Sequence, residues 1–186
     1  GLKMIDHKDW KLDSDGFHLY KPHQLRPWYN YIANADYGIK LSHMGSGYGA
    51  TLDEPRTMST HFDPVNHTKG RFIYVKDGES IWAPTQWPLS NKVDEFECIH
   101  SPGWTGFKSS KDNIEVCSKH FVPSSGRFEF WIVEVTNKGP EKKSIEIFPQ
   151  VELLLYPDYK VHHDYYSWFT NSSFKDNCIN VGKDEE

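Results

Sequence analysis

Short runs in which apolar and polar residues alternate recur along this chain, and no window of ten residues or more repeats an apolar residue every third or fourth position. That absence of helical periodicity most narrows what the chain can become. The alternating runs occupy residues 37–42 (YGIKLS), 71–75, 80–83, 96–100, 106–109, 114–122, 128–136 and 144–155, each bounded by turn-forming residues. The two strongest flank 137–142 (NKGPEK), whose Asn, Gly and Pro predict either a hairpin or a crossover between sheets. The prediction is an all-β fold, a two-sheet antiparallel sandwich, with no βαβ unit. A length of 186 residues suits one such core. Residues 1–25 read as N-terminal lead-in strands and residues 26–186 as the sandwich, with no internal repeat or linker.

A net charge of −5, with 25% charged and 37% hydrophobic residues, gives no electrostatic case for nucleic acid or an anionic membrane. No apolar run approaches the length of a membrane span, and the opening GLKMIDHKDW lacks the order of a secretory signal, so a cytoplasmic location is expected. Cys98, Cys117 and Cys178 are odd in number and have no CxxC spacing, which predicts reduced, mostly buried structural thiols. Aromatics reach 15%, and Trp10, Trp28, Trp82, Trp87, Trp104, Trp131 and Trp168 are spread along the chain. Such rings fill sandwich cores or, when exposed, stack on sugars.

The segment GSGYG at 45–49 poses the sharpest local question: does it hold a phosphate, hold a sugar, or turn a corner? A dinucleotide loop needs GxGxxG opening a helix, and a phosphate loop ends in Gly-Lys-Ser/Thr. Neither is present, and Pro55 follows without any apolar helical face. A sugar contact and a plain corner both stay open.

Several pieces in a fixed order carry a resemblance. They are Arg26-Pro27-Trp28 with Asn30-Tyr31, Tyr37-Gly38 ahead of Gly45–Tyr48, Gly70-Arg71 with Tyr74 and Asp77, and Trp82 with Pro84. Glu97 with His100, Gly103-Trp104-Thr105, His120 with Pro123, Trp131 ahead of Val135 and Asn137, and Val151-Glu152 complete the series. Over about residues 26–152 the chain resembles the N-terminal β-sandwich, or super-sandwich, of the inverting disaccharide phosphorylases of glycoside hydrolase family 94. That family includes cellobiose, cellodextrin and chitobiose phosphorylases.

The resemblance implies an enzyme whose catalytic Asp sits in an α-helical barrel that this chain lacks. The chain then reads as one part of a longer phosphorylase, a homodimer, acting on a β-linked disaccharide or oligosaccharide. Inverting phosphorolysis needs one carboxylic acid to protonate the glycosidic oxygen while phosphate attacks the opposite face. Inorganic phosphate is thus a co-substrate, no cofactor is called for, and no catalytic residue is assigned here. Two segments are expected near substrate: the Gly47-Tyr48 region, and His163, Asp164, Tyr165 and Trp168, where relatives carry acceptor-side residues. The second departs from the family in having no arginine after Arg127.

Metal binding is not expected. His162 and His163 are adjacent, so on an extended chain they point apart. His61 and His67 flank Asp63 in a loop that reads equally well as solvated polar surface, and Asp94, Glu95 and Glu97 read as an exposed strand face. Two alternatives stay in play: a non-catalytic carbohydrate-binding or structural sandwich, and the sandwich of a related glucan transglycosylase.

Overall fold

A computed structural model describes residues 5–22, 26–53, 56–156 and 170–183. Every regular element among them is a strand, and every pairing is antiparallel. The all-β antiparallel prediction is met.

One layer is a seven-stranded sheet. Its order is β1 (Ile5–His7), β2 (Trp10–Leu12), β3 (Phe17–Leu19), β10 (Glu95–Ser101), β11 (Trp104–Lys111), β12 (Ile114–Phe121) and β13 (Phe130–Asn137). The lead-in strands join this sheet directly, because β3 pairs with β10. Asp112 and Asn113 at positive φ turn the chain between β11 and β12, a backbone that Asp and Asn tolerate.

Two ladders build the opposite layer. A five-stranded one runs β15 (Leu153–Tyr156), β7 (Met58–Thr60), β6 (Gly47–Thr51), β5 (Tyr37–Ser42), β4 (Tyr29–Ala33). A three-stranded one runs β14 (Ile145–Val151), β8 (Arg71–Asp77), β9 (Ser80–Trp82). They join at Glu152, whose N–H donates to Gly70 O (2.7 Å) and whose carbonyl accepts from His61 N–H (2.8 Å). The run from Ile145 to Tyr156 is therefore one interrupted strand, pairing first with β8 and then with β7. Since β13 pairs with β12 and β14 with β8, the 137–142 turn is a crossover between layers and not a hairpin.

The core lies between the layers. Leu41 of β5 meets Leu19, Phe96, Cys98 and Phe107 of the seven-stranded sheet. Val75 and Trp82 of the three-stranded ladder meet Ile114 and Val116. Asn30 ties the layers with side-chain N–H bonds to Ser101 O (2.8 Å), Trp104 O (3.0 Å) and Thr105 Oγ1 (3.1 Å). Asn34 does the same to Pro123 O (2.9 Å) and Gly126 O (2.8 Å).

Some local expectations fail. β13 is an edge strand: strict alternation along residues 128–136 puts one of the neighbouring rings Phe130 and Trp131 on the core face, yet Phe130 is 46% exposed and Trp131 only half-buried. Of the cysteines only Cys98 is buried, while Cys117 is half-buried and Cys178 exposed. A separate hairpin of β16 (Thr170–Lys175) and β17 (Cys178–Lys183) turns at Asp176-Asn177, both at positive φ, and exposes Phe174 and Ile179.

Candidate functional site

The glycine-rich segment is a buried hairpin corner followed by a strand. β5 and β6 pair with Lys40 opposite Tyr48 and Leu41 opposite Gly47. The corner closes by Ser42 N–H to Ser46 O (2.8 Å) and Gly45 N–H to Ser42 O (3.0 Å). Ser42 Oγ and Ser46 Oγ are 3.0 Å apart, and Ser46 Oγ is 2.8 Å from His67 Nδ1, all inside the protein. Gly45 stands at φ +85° against Thr85, a backbone that favours glycine. At Gly47 a methyl would overlap the carbonyl oxygen of Lys40, and at Gly49 the hydroxyl of Tyr37. The glycines thus serve a corner and close packing between backbones.

His67 corrects the polar-loop reading. It is buried, with its pKa lowered from 6.5 by desolvation. Asp63 instead organises the loop, accepting from Val65 N–H and Asn66 N–H, each at 2.9 Å. Glu97 is likewise engaged, 2.8 Å from Nδ1 of the buried His18, and so is not a bare exposed face.

Cross-strand pairing puts Tyr31, Lys40 and Tyr48 in one row on the face of the five-stranded sheet that points away from the other layer. A groove of about 270 Å³ runs there, floored by Ala33, Gly38 and Ala50 and edged by Tyr31, Lys40, Leu52 and Arg56. Tyr31 is 68% exposed. Lys40 Nζ sits 4.0 Å from the Tyr29 ring centre, 5.6 Å from Tyr31 and 5.0 Å from Phe62. Tyr48 leans on Phe62 at 5.6 Å and on the cluster of Ala50, Met58 and Leu154. None of the described residues lining the groove is a carboxylic acid. The groove offers ring faces and two cationic side chains, which suits binding, and its described lining residues include none of the carboxylic acids that protonate a glycosidic oxygen.

Of the predicted site residues, Tyr48 lies on this groove and Gly47 is buried beneath the corner. His163, Asp164, Tyr165 and Trp168, with His162, fall outside the described residues. Sequence reasoning missed Tyr31, Lys40 and Arg56, which line the groove with Tyr48. The i, i+2 pair Tyr29 and Tyr31 on one strand was the available signal, since both must share a face. No group of three or more His, Cys, Asp or Glu suited to a metal occurs among the described residues.

A family model for the supersandwich domain of glycosyl hydrolase 94 matches residues 17–184. The chain belongs to that family. It is 34% identical over 131 residues to a 3-O-β-D-glucopyranosyl-β-D-glucuronide phosphorylase of Paenibacillus borealis, covering 68% of the chain and 16% of the relative. To a solabiose phosphorylase of the same organism it is 27% identical over 151 residues, 75% of the chain and 19% of the relative. A cyclic β-(1,2)-glucan synthase, NdvB, of Rhizobium meliloti (strain 1021) is 23% identical over 134 residues, 70% of the chain and 5% of the relative. The chain thus spans less than a fifth of the length of these curated relatives. No helix among the described residues is long and apolar enough to cross a membrane.

Proposed function

We propose that this chain is the supersandwich part of a cytoplasmic, homodimeric inverting phosphorylase. That enzyme cleaves a β-linked, glucosyl-containing disaccharide or oligosaccharide with inorganic phosphate to give a sugar 1-phosphate. The supporting observation is the family match over residues 17–184 together with two similar proteins that are named as phosphorylases. In this reading the proton donor and the phosphate pocket belong to polypeptide outside these 186 residues. The chain supplies a rigid two-layer support and, through Tyr48 with Tyr31 and Lys40, an aromatic surface beside the acceptor sugar. Gly47 acts indirectly, by letting β6 approach β5 so closely that Tyr48 stands on the groove. His163, Asp164, Tyr165 and Trp168 complete the acceptor side; their support is the family resemblance alone.

The test is to incubate the full-length protein with β-linked disaccharides, with and without phosphate. Phosphate-dependent release of sugar 1-phosphate is the expected result. Phosphate-independent transfer between glucan chains would instead favour a glucan transglycosylase, and no turnover of any glycoside would favour a purely structural or binding sandwich.

A further inference from the structure

The interior of the sandwich contains polar groups that the sheets leave unsatisfied. Arg71, the first residue of β8, is 2% exposed. Its Nη1 is ion-paired with Glu129, and its guanidinium lies 5.6 Å from the ring centre of Trp131. Its Nε and Nη2 are buried with no hydrogen-bond partner among the described residues, and so is Nδ1 of His120 on β12. Arg71 and His120 line one small, partly open void of about 20 Å³ between the sheets, together with Ser118, Phe107 and Trp131.

The size and chemistry of that void select its ligand. About 10–15 Å³ of such space holds one water, so a sugar or a phosphate does not fit. A cation is opposed by the guanidinium. An anion finds no net charge to attract it, because Glu129 neutralises Arg71 and burial holds His120 uncharged, its pKa pushed down to about 3. The groups offered are two donor nitrogens of Arg71 and one imidazole nitrogen.

We propose that this void binds a single water molecule, which accepts a hydrogen bond from the Arg71 guanidinium and donates one to Nδ1 of His120. The assignment fixes the imidazole tautomer: Nε2 carries the proton and donates to Ser118 Oγ, 3.2 Å away. The opposite tautomer would point a third donor at the water and leave its hydrogens without this acceptor. Since Arg71 belongs to one layer and His120 to the other, the water links the two sheets across the core.

A crystal structure of the protein at a resolution that shows ordered waters tests this. One spherical peak is expected within hydrogen-bond distance of both Arg71 and His120 Nδ1, with no anomalous signal there after a bromide soak. A void without density, or a bromide peak in it, would overturn the proposal. His120→Phe, which places a ring in the void and removes the acceptor, is expected to abolish the peak; a peak that persists in it counts against the site. Should that variant fail to fold, ¹⁵N-histidine NMR of the unsubstituted protein decides the matter. Nε2–H imidazole with a cross-peak to bound water is expected for His120, and an Nδ1–H ring or the lack of any water contact contradicts it.

Discussion

Gly47 shows how a residue that reads as a ligand loop can be a packing device. Its nearest obstacle is the Lys40 carbonyl oxygen on the neighbouring strand, and backbone cannot move aside as a side chain can. Gly47→Ala should therefore destabilise the protein by about 3 kcal/mol or more, whereas Gly103→Ala, with open space at the Cβ, carries only its backbone strain at positive φ and should cost about 1 kcal/mol. Denaturant midpoints check the ranking. Tyr48 is the opposite case, with a ring partly exposed on the groove. If the full-length protein is the proposed phosphorylase, Tyr48→Ala or Tyr31→Ala should raise its acceptor Michaelis constant in the synthetic direction several-fold, a stacking loss of about 0.5–1.5 kcal/mol, with donor affinity nearly unchanged. Equal losses for donor and acceptor would return both tyrosines to a structural role. Buried His120 and half-buried His100 make a further prediction. Desolvation lowers His100 from 6.5 to about 4 and His120 to about 3, so both stay neutral when folded while the unfolded chain protonates them near 6.5. Between pH 6.5 and about 4 the unfolded state thus binds the extra protons, and stability falls as the pH drops. Unfolding midpoints at pH 7 and pH 5 should differ in that sense, and His100→Gln should narrow the gap; a flat profile would contradict the burial of these rings.

The strands of highest apolar alternation were legible because period two survives in any sheet, but alternation does not say whether a strand is central or at an edge. β9 contributes only three residues, yet its Trp82 is fully buried against Val75, Ile114 and Val116. β13 is longer and more apolar and lies at the rim, with Phe130 stacked on Phe121 at 5.2 Å near the surface. Trp82→Ala should accordingly cost about 3–5 kcal/mol and Phe130→Ala about 1 kcal/mol or less, measured as denaturant unfolding free energies. Comparable costs would place β13 in the core after all. β6 escaped notice because its glycines read as a loop, and β16 and β17 because a strand as polar as TNSSFK has no buried face to reveal it. The groove could not be read from sequence either. Tyr31, Lys40 and Tyr48 come together only through the register of three strands.

The order of motifs pointed to the family, and the structure explains why those residues carry the likeness. Asn30 clamps the layers, Trp82 fills the core, and Arg71 and His120 meet between the sheets. These are requirements of the sandwich, which is why they signal the fold so clearly and the substrate so poorly. The described residues lining the groove include no carboxylic acid, and the chain accounts for 16% of the length of the glucopyranosyl-glucuronide phosphorylase it resembles. The central claim is thus a division of labour: this sandwich supports and lines, and polypeptide outside it performs the chemistry. Phosphorolysis of β-linked disaccharides measured side by side on the 186-residue chain and on the full-length protein tests it most directly. The account predicts an α-sugar 1-phosphate from the full-length protein alone, with inversion visible by NMR. Reproducible phosphate-dependent turnover by the isolated chain, or a β-sugar 1-phosphate from the longer one, would contradict it.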